Sequence, residues 1–142
     1  MKIKQLSLFI ENKPGVLSAP CKILADAGIN IVTLCLADTQ DFGIMRIIVE
    51  KWQKAKDLLE AGNFVVKVTD VAAIEVDDRP GGLARILSTL EDSSVNVEYM
   101  YAFTSGKNGK AVLVFRFEKP DEAIKALSSK GINVLAPAHV FR

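Results

Sequence analysis

The chain has 142 residues, 49% hydrophobic and 25% charged, the balance of a folded domain without the polar, charge-rich bias of a disordered one. Eighteen Lys and Arg against seventeen Asp and Glu leave a formal charge of +1, too weak a field to hold a phosphate backbone or an anionic membrane, so nucleic acid and membrane are excluded as expected partners. The opening MKIKQLSLFIENKPG is too polar for a signal-peptide core and no run approaches transmembrane length; the expected location is the cytoplasm.

The first element reads as a strand, with Leu6, Leu8 and Ile10 alternating with Gln5, Ser7 and Phe9, and a loop at Pro14-Gly15 ends it. Leu17, Cys21 and Leu24 then recur at helical spacing and predict a helix ending near Gly28. Pro20 cannot donate a backbone hydrogen bond within a helix, so that helix is expected to begin late, with Ser18 as its cap. Residues 29–36 and 44–49 read as the next two strands, joined by the polar Asp38-Thr39-Gln40-Asp41. A second helix carries Ala55, Leu58 and Leu59 inward, with Trp52 as a packing or dimer-contact residue at its start, and a strand at 64–71 closes the set. Residues 64–76 contain no Gly or Pro, so this strand is expected to pass without a linker into the next.

From there the chain repeats itself. At an offset of 66, Glu11-Asn12-Lys13-Pro14-Gly15-Val16-Leu17 falls on Asp77-Asp78-Arg79-Pro80-Gly81-Gly82-Leu83, Leu24 on Leu90, and Ile29-Asn30-Ile31 on Val95-Asn96-Val97. A helix through Leu83, Leu87 and Leu90 follows, then strands at 95–103 and 111–117, a helix opened by Pro120 and buried through Ile124 and Leu127, and a closing strand at 132–141 that carries His139. A three-residue lengthening around Ser105 to Lys110 is expected to move the offset to 69, pairing Leu58 with Leu127, Gly62 with Gly131 and Val71 with Val140.

Two copies result, at 1–70 and 71–142, each in the order strand, helix, strand, strand, helix, strand. The expected fold is α+β: two tandem ferredoxin-like βαββαβ units side by side, with antiparallel sheets and helices on one face. Residues 44–49 and 111–115 are apolar on both faces, so the helix-free face should also be covered, most simply by a second copy of the chain in a homodimer.

Little in the composition serves catalysis. Cys21 and Cys35 have no partner at metal-ligand spacing and read as small hydrophobes, and His139 is the only histidine. No nucleophile and base are paired and no loop is built to cradle phosphate, so no catalytic site, metal or cofactor is expected. The segment Lys107-Asn108-Gly109-Lys110 to Val114-Phe115-Arg116-Phe117 faintly resembles an RNA-binding strand signature, with Arg46 and Ile48 in place of its two Phe residues in the first copy.

The loop Glu11-Asn12-Lys13-Pro14-Gly15-Val16-Leu17 followed by Gly28-Ile29-Asn30-Ile31 resembles the ACT domain, the amino-acid-sensing module of many biosynthetic enzymes, and the resemblance covers nearly all the chain, twice. It implies a regulatory protein that binds a free L-amino acid between two units, touching the Pro-Gly loop of one and the second strand of its neighbour, and that acts on a regulated enzyme or other protein partner. The implied ligand-binding residues are Glu11, Asn12, Lys13, Pro14, Gly15, Val16, Leu17, Asn30 and Ile31 in the first copy. In the second they are Asp77, Asp78, Arg79, Pro80, Gly81, Gly82, Leu83, Asn96 and Val97.

The chemistry is intelligible from those residues. Backbone N–H groups after Gly15, at a helix start, suit a carboxylate, and an Asn oxygen or loop carbonyl suits an ammonium. Gly15 and Gly81 permit a close approach that a Cβ obstructs. Asp78 stands where Asn12 stands, beside Asp77, so the two sites are expected to be unequal, with the first loop the better for a ligand carboxylate. Ile10 occupies a position where some serine-sensing relatives carry a histidine, which argues against serine. Tyr99, Met100 and Tyr101 are candidates to line the ligand seam or the core. Pro-Gly dipeptides also close ordinary strand-to-helix turns, Asn30 and Asn96 also suit turn positions, and a structural dimerisation module has the same layout.

Overall fold

The structure, a computed structural model, describes residues 1–38, 40–103 and 106–141; Thr39 in the expected turn and Ser105 in the expected lengthening lie outside them. The elements in chain order are β1 (Ile3–Glu11), α1 (Ser18–Asp26), β2 (Thr33–Asp38), β3 (Phe42–Ile48), α2 (Trp52–Ala61) and β4 (Val66–Asp77). There follow α3 (Gly82–Asp92), β5 (Val97–Ala102), β6 (Lys110–Phe117), α4 (Pro120–Ser129) and α5 (Pro137–Val140). The chain divides into two compact units, one of Lys4–Thr69 and one of Asp70–Arg142 with Met1–Ile3.

In the first unit β3 lies between β1 and β2, antiparallel to both, with Leu8 and Leu36 each opposite Met45. Alternation puts Leu6, Leu8, Ile10, Met45 and Ile47 on one face, where they pack with Leu24 of α1 and Ala55 and Leu59 of α2. Val66 and Val68 of β4 pack against the same core. Leu6, Leu8, Leu24 and Leu59 are each at most 1% exposed, and burying such a side chain is worth about 1.5–3 kcal/mol apiece.

The second unit repeats the plan with β6 between β4 and β5. Ala72, Ile74, Val76, Phe115 and Phe117 face Ile86 and Leu90 of α3 and Ala123 and Leu127 of α4. The rings of Phe115 and Phe117 stack with centroids 5.4 Å apart. Each unit is therefore a ferredoxin-like arrangement, an antiparallel sheet with its helices on one face. No helix among the described residues is long and apolar enough to cross a membrane.

Several local expectations are corrected. The second copy does not end in a strand over 132–141. Glu75 N donates to Asn133 O and Leu135 N to Ala73 O, a short edge pairing alongside β4, after which Pro137 opens α5. Pro has no N–H to continue a ladder, whereas its fixed φ suits the first position of a helix. His139 thus sits on a helix, not in a strand.

The second-half offset is 68 and not 69. Ala55 and Ala123 are both fully buried, as are Leu59 and Leu127, and Phe64 N donates to Leu59 O just as Ile132 N donates to Leu127 O. Pairing Gly62 with Gly131 misleads because the left-handed position is taken by Asn63 (φ 70) in one copy and Gly131 (φ 74) in the other. With that register Ile47 and Val49, rather than Arg46 and Ile48, correspond to Phe115 and Phe117.

Gln5 and Ser7 are buried rather than outward, with Gln5 Nε2 donating to Ser7 Oγ at 3.4 Å, so the start of β1 is covered on both faces. β2 begins at Thr33, leaving Asn30 and Ile31 in the approach to the strand.

Candidate functional site

The first loop is propped from below by the turn between β2 and β3. Asn12 N donates to Asp41 O at 2.9 Å, and Asn12 Nδ2 donates to Gln40 O at 3.4 Å. The amide NH₂ is thereby engaged, and Asn12 Oδ1 is left as an acceptor. Gly15 has φ 85 with nothing within 4 Å of a Cβ built on it, so it is the left-handed backbone, not crowding, that requires glycine.

Ser18 does not cap α1. Leu17 is the N-cap, and Ser18 Oγ instead donates back to Gly15 O at 2.9 Å, tying the loop to the helix start. Pro20 is the third helical residue, where its missing N–H costs no intrahelical bond. The N–H groups of Ser18 and Ala19 in the same turn have no intrahelical acceptor and point toward the loop end.

Beside this loop lies a cleft of about 120 Å³ lined by Ile10, Glu11, Asn12, Lys13 and Leu17, closed by Leu36 and Gly43 from β2 and β3. Its two charged side chains neutralise one another, with Lys13 Nζ 2.9 Å from Glu11 Oε2.

The second loop is tighter and more strongly charged. Asp78 N donates to Gly109 O at 2.9 Å and Gly82 N to Arg79 O at 3.1 Å. Gly81 takes φ 89, and α3 begins at Gly82, the counterpart of Val16, two residues earlier than α1 does. A Cβ on Gly82 would stand 2.1 Å from Asp77 O. The Asp77 carboxylate accepts from Lys110 Nζ and, at 3.3 Å, from Arg79 Nη2. The Lys110 hydrogen bond and charge, followed by Arg79, hold the Asp77 carboxyl below the usual carboxylate range. Of the two acidic residues in this loop, Asp77 is thus already balanced in place, while Asp78 is exposed beside it.

Neither unit brings its loop and its strand-start Asn together. In the first, Asn12 meets Asp41 whereas Val32, two residues after Asn30, donates to Ile48 O; at about 3.3 Å per residue those ends of β3 are roughly 20 Å or more apart. In the second, Asp77 pairs with Lys110 whereas Glu118 N donates to Asn96 O, again at opposite ends of the sheet. Glu11, Asn12, Lys13, Pro14, Asp78, Arg79 and Pro80 are exposed at one end, and Asn30 and Asn96 are exposed at the other, with Ile31 and Val97 half-buried behind them.

The sequence reading missed Leu36, Gly43, Gln40 and Lys110. The first three become visible only when the β1–β3 register sets Gly43 opposite Ile10. Lys110 was legible as the residue opposite Asp77 across a hairpin, had the register been drawn. Met100 packs on the second core, which accounts for it, while Tyr99 and Tyr101 alternate to the other face. Among the described residues no group of three His, Cys, Asp or Glu side chains is placed to hold a metal ion.

Comparison with known proteins gives three relevant likenesses. The chain is 30% identical over 79 residues to the acetolactate synthase small subunit of Buchnera aphidicola subsp. Baizongia pistaciae, a match covering 55% of this chain and 50% of that one; it spans half the length of this curated relative. The crystal structure of protein BT0572 from Bacteroides thetaiotaomicron is 39% identical and superposes with a TM-score of 0.93 over 100% of this chain and 97% of that one. The regulatory subunit of aspartate kinase from Thermus thermophilus shares the fold, with a TM-score of 0.64, 18% identity, and coverage of 89% and 91% of the two chains. A family profile described as the ACT domain pair matches residues 1–140, so the chain belongs to the ACT domain family as an ACT domain pair.

Proposed function

We propose that this ACT domain pair is a non-catalytic regulatory protein that binds a free L-amino acid at an interface between ACT units. The observation that carries this reading is the divided site. Each unit holds a Pro-Gly loop at one end of its sheet and an exposed Asn at the other, an arrangement that serves a small zwitterion only when the loop of one unit meets the strand start of another. The open first loop, with Asn12 Oδ1 left to accept from an ammonium and the free N–H groups of the first turn of α1 to receive a carboxylate, is the better of the two. The names of two similar proteins, a synthase small subunit and a kinase regulatory subunit, fit a regulatory role and a biosynthetic enzyme as partner.

Signalling follows from differential affinity. A ligand that bridges two units stabilises the arrangement in which they face each other, and a partner that binds that arrangement better senses the ligand. The helix-free face of the first unit exposes Phe9 and Phe42, beside Ile44, and a second copy of the chain laid on it would bury them.

The test is thermal shift of the purified chain against the twenty L-amino acids, repeated on Asn12→Ala, Asn30→Ala and Asp78→Ala. Ligand at a hundred times its Kd adds about 2.7 kcal/mol to stability. A selective shift lost in Asn12→Ala or Asn30→Ala and kept in Asp78→Ala supports the reading. No shift with any amino acid, for a folded protein, favours a purely structural dimerisation module.

A further inference from the structure

Building on that reading, we propose that the first loop selects an amino acid with a branched aliphatic side chain, and that Gly43 and Leu36 set this selectivity. The walls beside Asn12 are the aliphatic groups of Ile10, Leu17 and Leu36. Leu17 and Leu36 are 41% and 46% exposed, so their carbon surface is open to whatever enters. Glu11 and Lys13, the charged side chains that line the cleft among the described residues, satisfy each other, and neither is left uncompensated to draw a charged side chain.

Size narrows the choice. The cleft is small, about 120 Å³, and open on one side; a three- or four-carbon branched chain is held within it, whereas an aromatic ring would protrude beyond its aliphatic walls. Gly43 fixes that depth. A Cβ there would meet Leu36 Cδ1 at 3.3 Å and Ile10 Cγ1 at 3.5 Å, so any larger residue takes up the floor of the cleft.

The second copy supplies an internal contrast. Across the matching register Ala102 stands for Leu36 and Ala111 for Gly43, one wall shortened and the floor filled. The cleft beside Asp78 adds Lys107, Asn108 and Lys110 to the apolar Ala102, Phe103, Ala111 and Val112, so its lining is mixed. The aliphatic enclosure is thus a property of the first loop.

Isothermal titration calorimetry on the full chain tests the proposal, with L-leucine, L-isoleucine and L-valine against L-phenylalanine, L-histidine, L-serine and L-aspartate. The expected result is tightest binding within the aliphatic three. Leu36→Ala, an exposed position where folding is not at risk, should weaken leucine about tenfold or more, since one methylene in an apolar pocket already discriminates by about tenfold. Gly43→Ala should move preference from leucine toward valine, and Gly43→Val should abolish both. Tightest binding of a polar, charged or aromatic amino acid overturns the selectivity while leaving amino-acid sensing intact. So does leucine binding that is lost in Asn12→Ala yet unchanged in Leu36→Ala. Failure of every amino acid to bind overturns both this inference and the proposed function.

Discussion

Replacing Gly82 by Ala should destabilise the protein, although helix propensity alone points the other way. Gly82 is the first residue of α3, and Ala is favoured over Gly inside a helix by about 1 kcal/mol. The Cβ, however, would lie 2.1 Å from Asp77 O and 3.0 Å from Asp77 C, both backbone atoms. Comfortable separation is about 3.5 Å, so the helix start and the end of β4 must part by more than an ångström. Asp77 resists that movement, being held in register opposite Lys110 with its carboxylate bound by Lys110 and Arg79. Overpacking costs about 1–3 kcal/mol, and parting two backbone segments by more than an ångström belongs in the upper part of that range, about 2–3 kcal/mol; set against the propensity gain it leaves a net loss of about 1–2 kcal/mol. For a chain of this length that is a Tm lower by roughly 4–8 °C. The assay is thermal and urea unfolding followed by circular dichroism. Gly81→Ala serves as comparison, because its cost arises from φ 89 alone, with nothing within 4 Å of the added carbon. A Gly82→Ala protein as stable as the parent, or more so, would refute the claim that the second loop is closed against β4.

The Asp77 carboxyl is held below its ordinary range by Lys110 and Arg79, so its contribution is present above the unfolded value of about 3.9 and is lost as pH falls through the lower folded value. Asp77→Asn should therefore flatten the acid limb of stability below about pH 4, read by urea midpoints from pH 2 to 7. If Asn63 and Gly131 are equivalent left-handed positions, Gly131→Asn should cost less than Gly131→Ala, for which about 1–2 kcal/mol is expected; equal costs would count against the 68-residue register. If the proposed homodimer forms through this face, Phe9→Asp with Phe42→Asp should shift light-scattering mass toward the monomer without unfolding the chain, since both side chains are about half exposed (49% and 56%); an unchanged mass would remove this face as the proposed contact.

The duplication, the element order and the core were legible because they rest on period and on turn residues. Leu24 with Leu90 and Ile29 with Val95 fall at one offset, and in both copies the second residue after the first helix takes a left-handed turn, Gly28 in one and Ser94 in the other. The same logic failed where unlike residues do one job. Asn63 and Gly131 share a conformation but not a letter, so letter matching slipped by one residue. The closing strand of the second copy was misread because an apolar run fits a strand until Pro137 removes the next donor. Gln5 and Ser7 look solvent-facing by alternation, yet burial on both faces of β1 is a tertiary fact that period cannot carry. For the candidate site, the loop residues were visible as a motif. The walls were not, because Leu36 and Gly43 reach the loop only through strand pairing across 26 to 33 residues of chain from Ile10.

The two copies agree where packing dictates the residue and part where the loop meets the hairpin. Ala55 and Ala123 are both fully buried, as are Leu59 and Leu127, because a helix lying on a sheet leaves the same space in each unit. At the loop end the fold imposes no such identity, and there Val16 becomes Gly82, Leu36 becomes Ala102, Phe42 becomes Lys110 and Gly43 becomes Ala111. Three of these changes act in one direction. Gly82 lets α3 start early and consume the loop, Ala111 fills the floor, and Lys110 sits on Asp77 in the position where a ligand ammonium would otherwise be drawn. A second loop satisfied by its own chain has less to gain from a free amino acid, so occupancy should track the first loop, at one ligand per chain. Because a ligand biases only those arrangements in which it binds unequally, the proposed function then requires the regulatory response to depend on contacts made by the first loop.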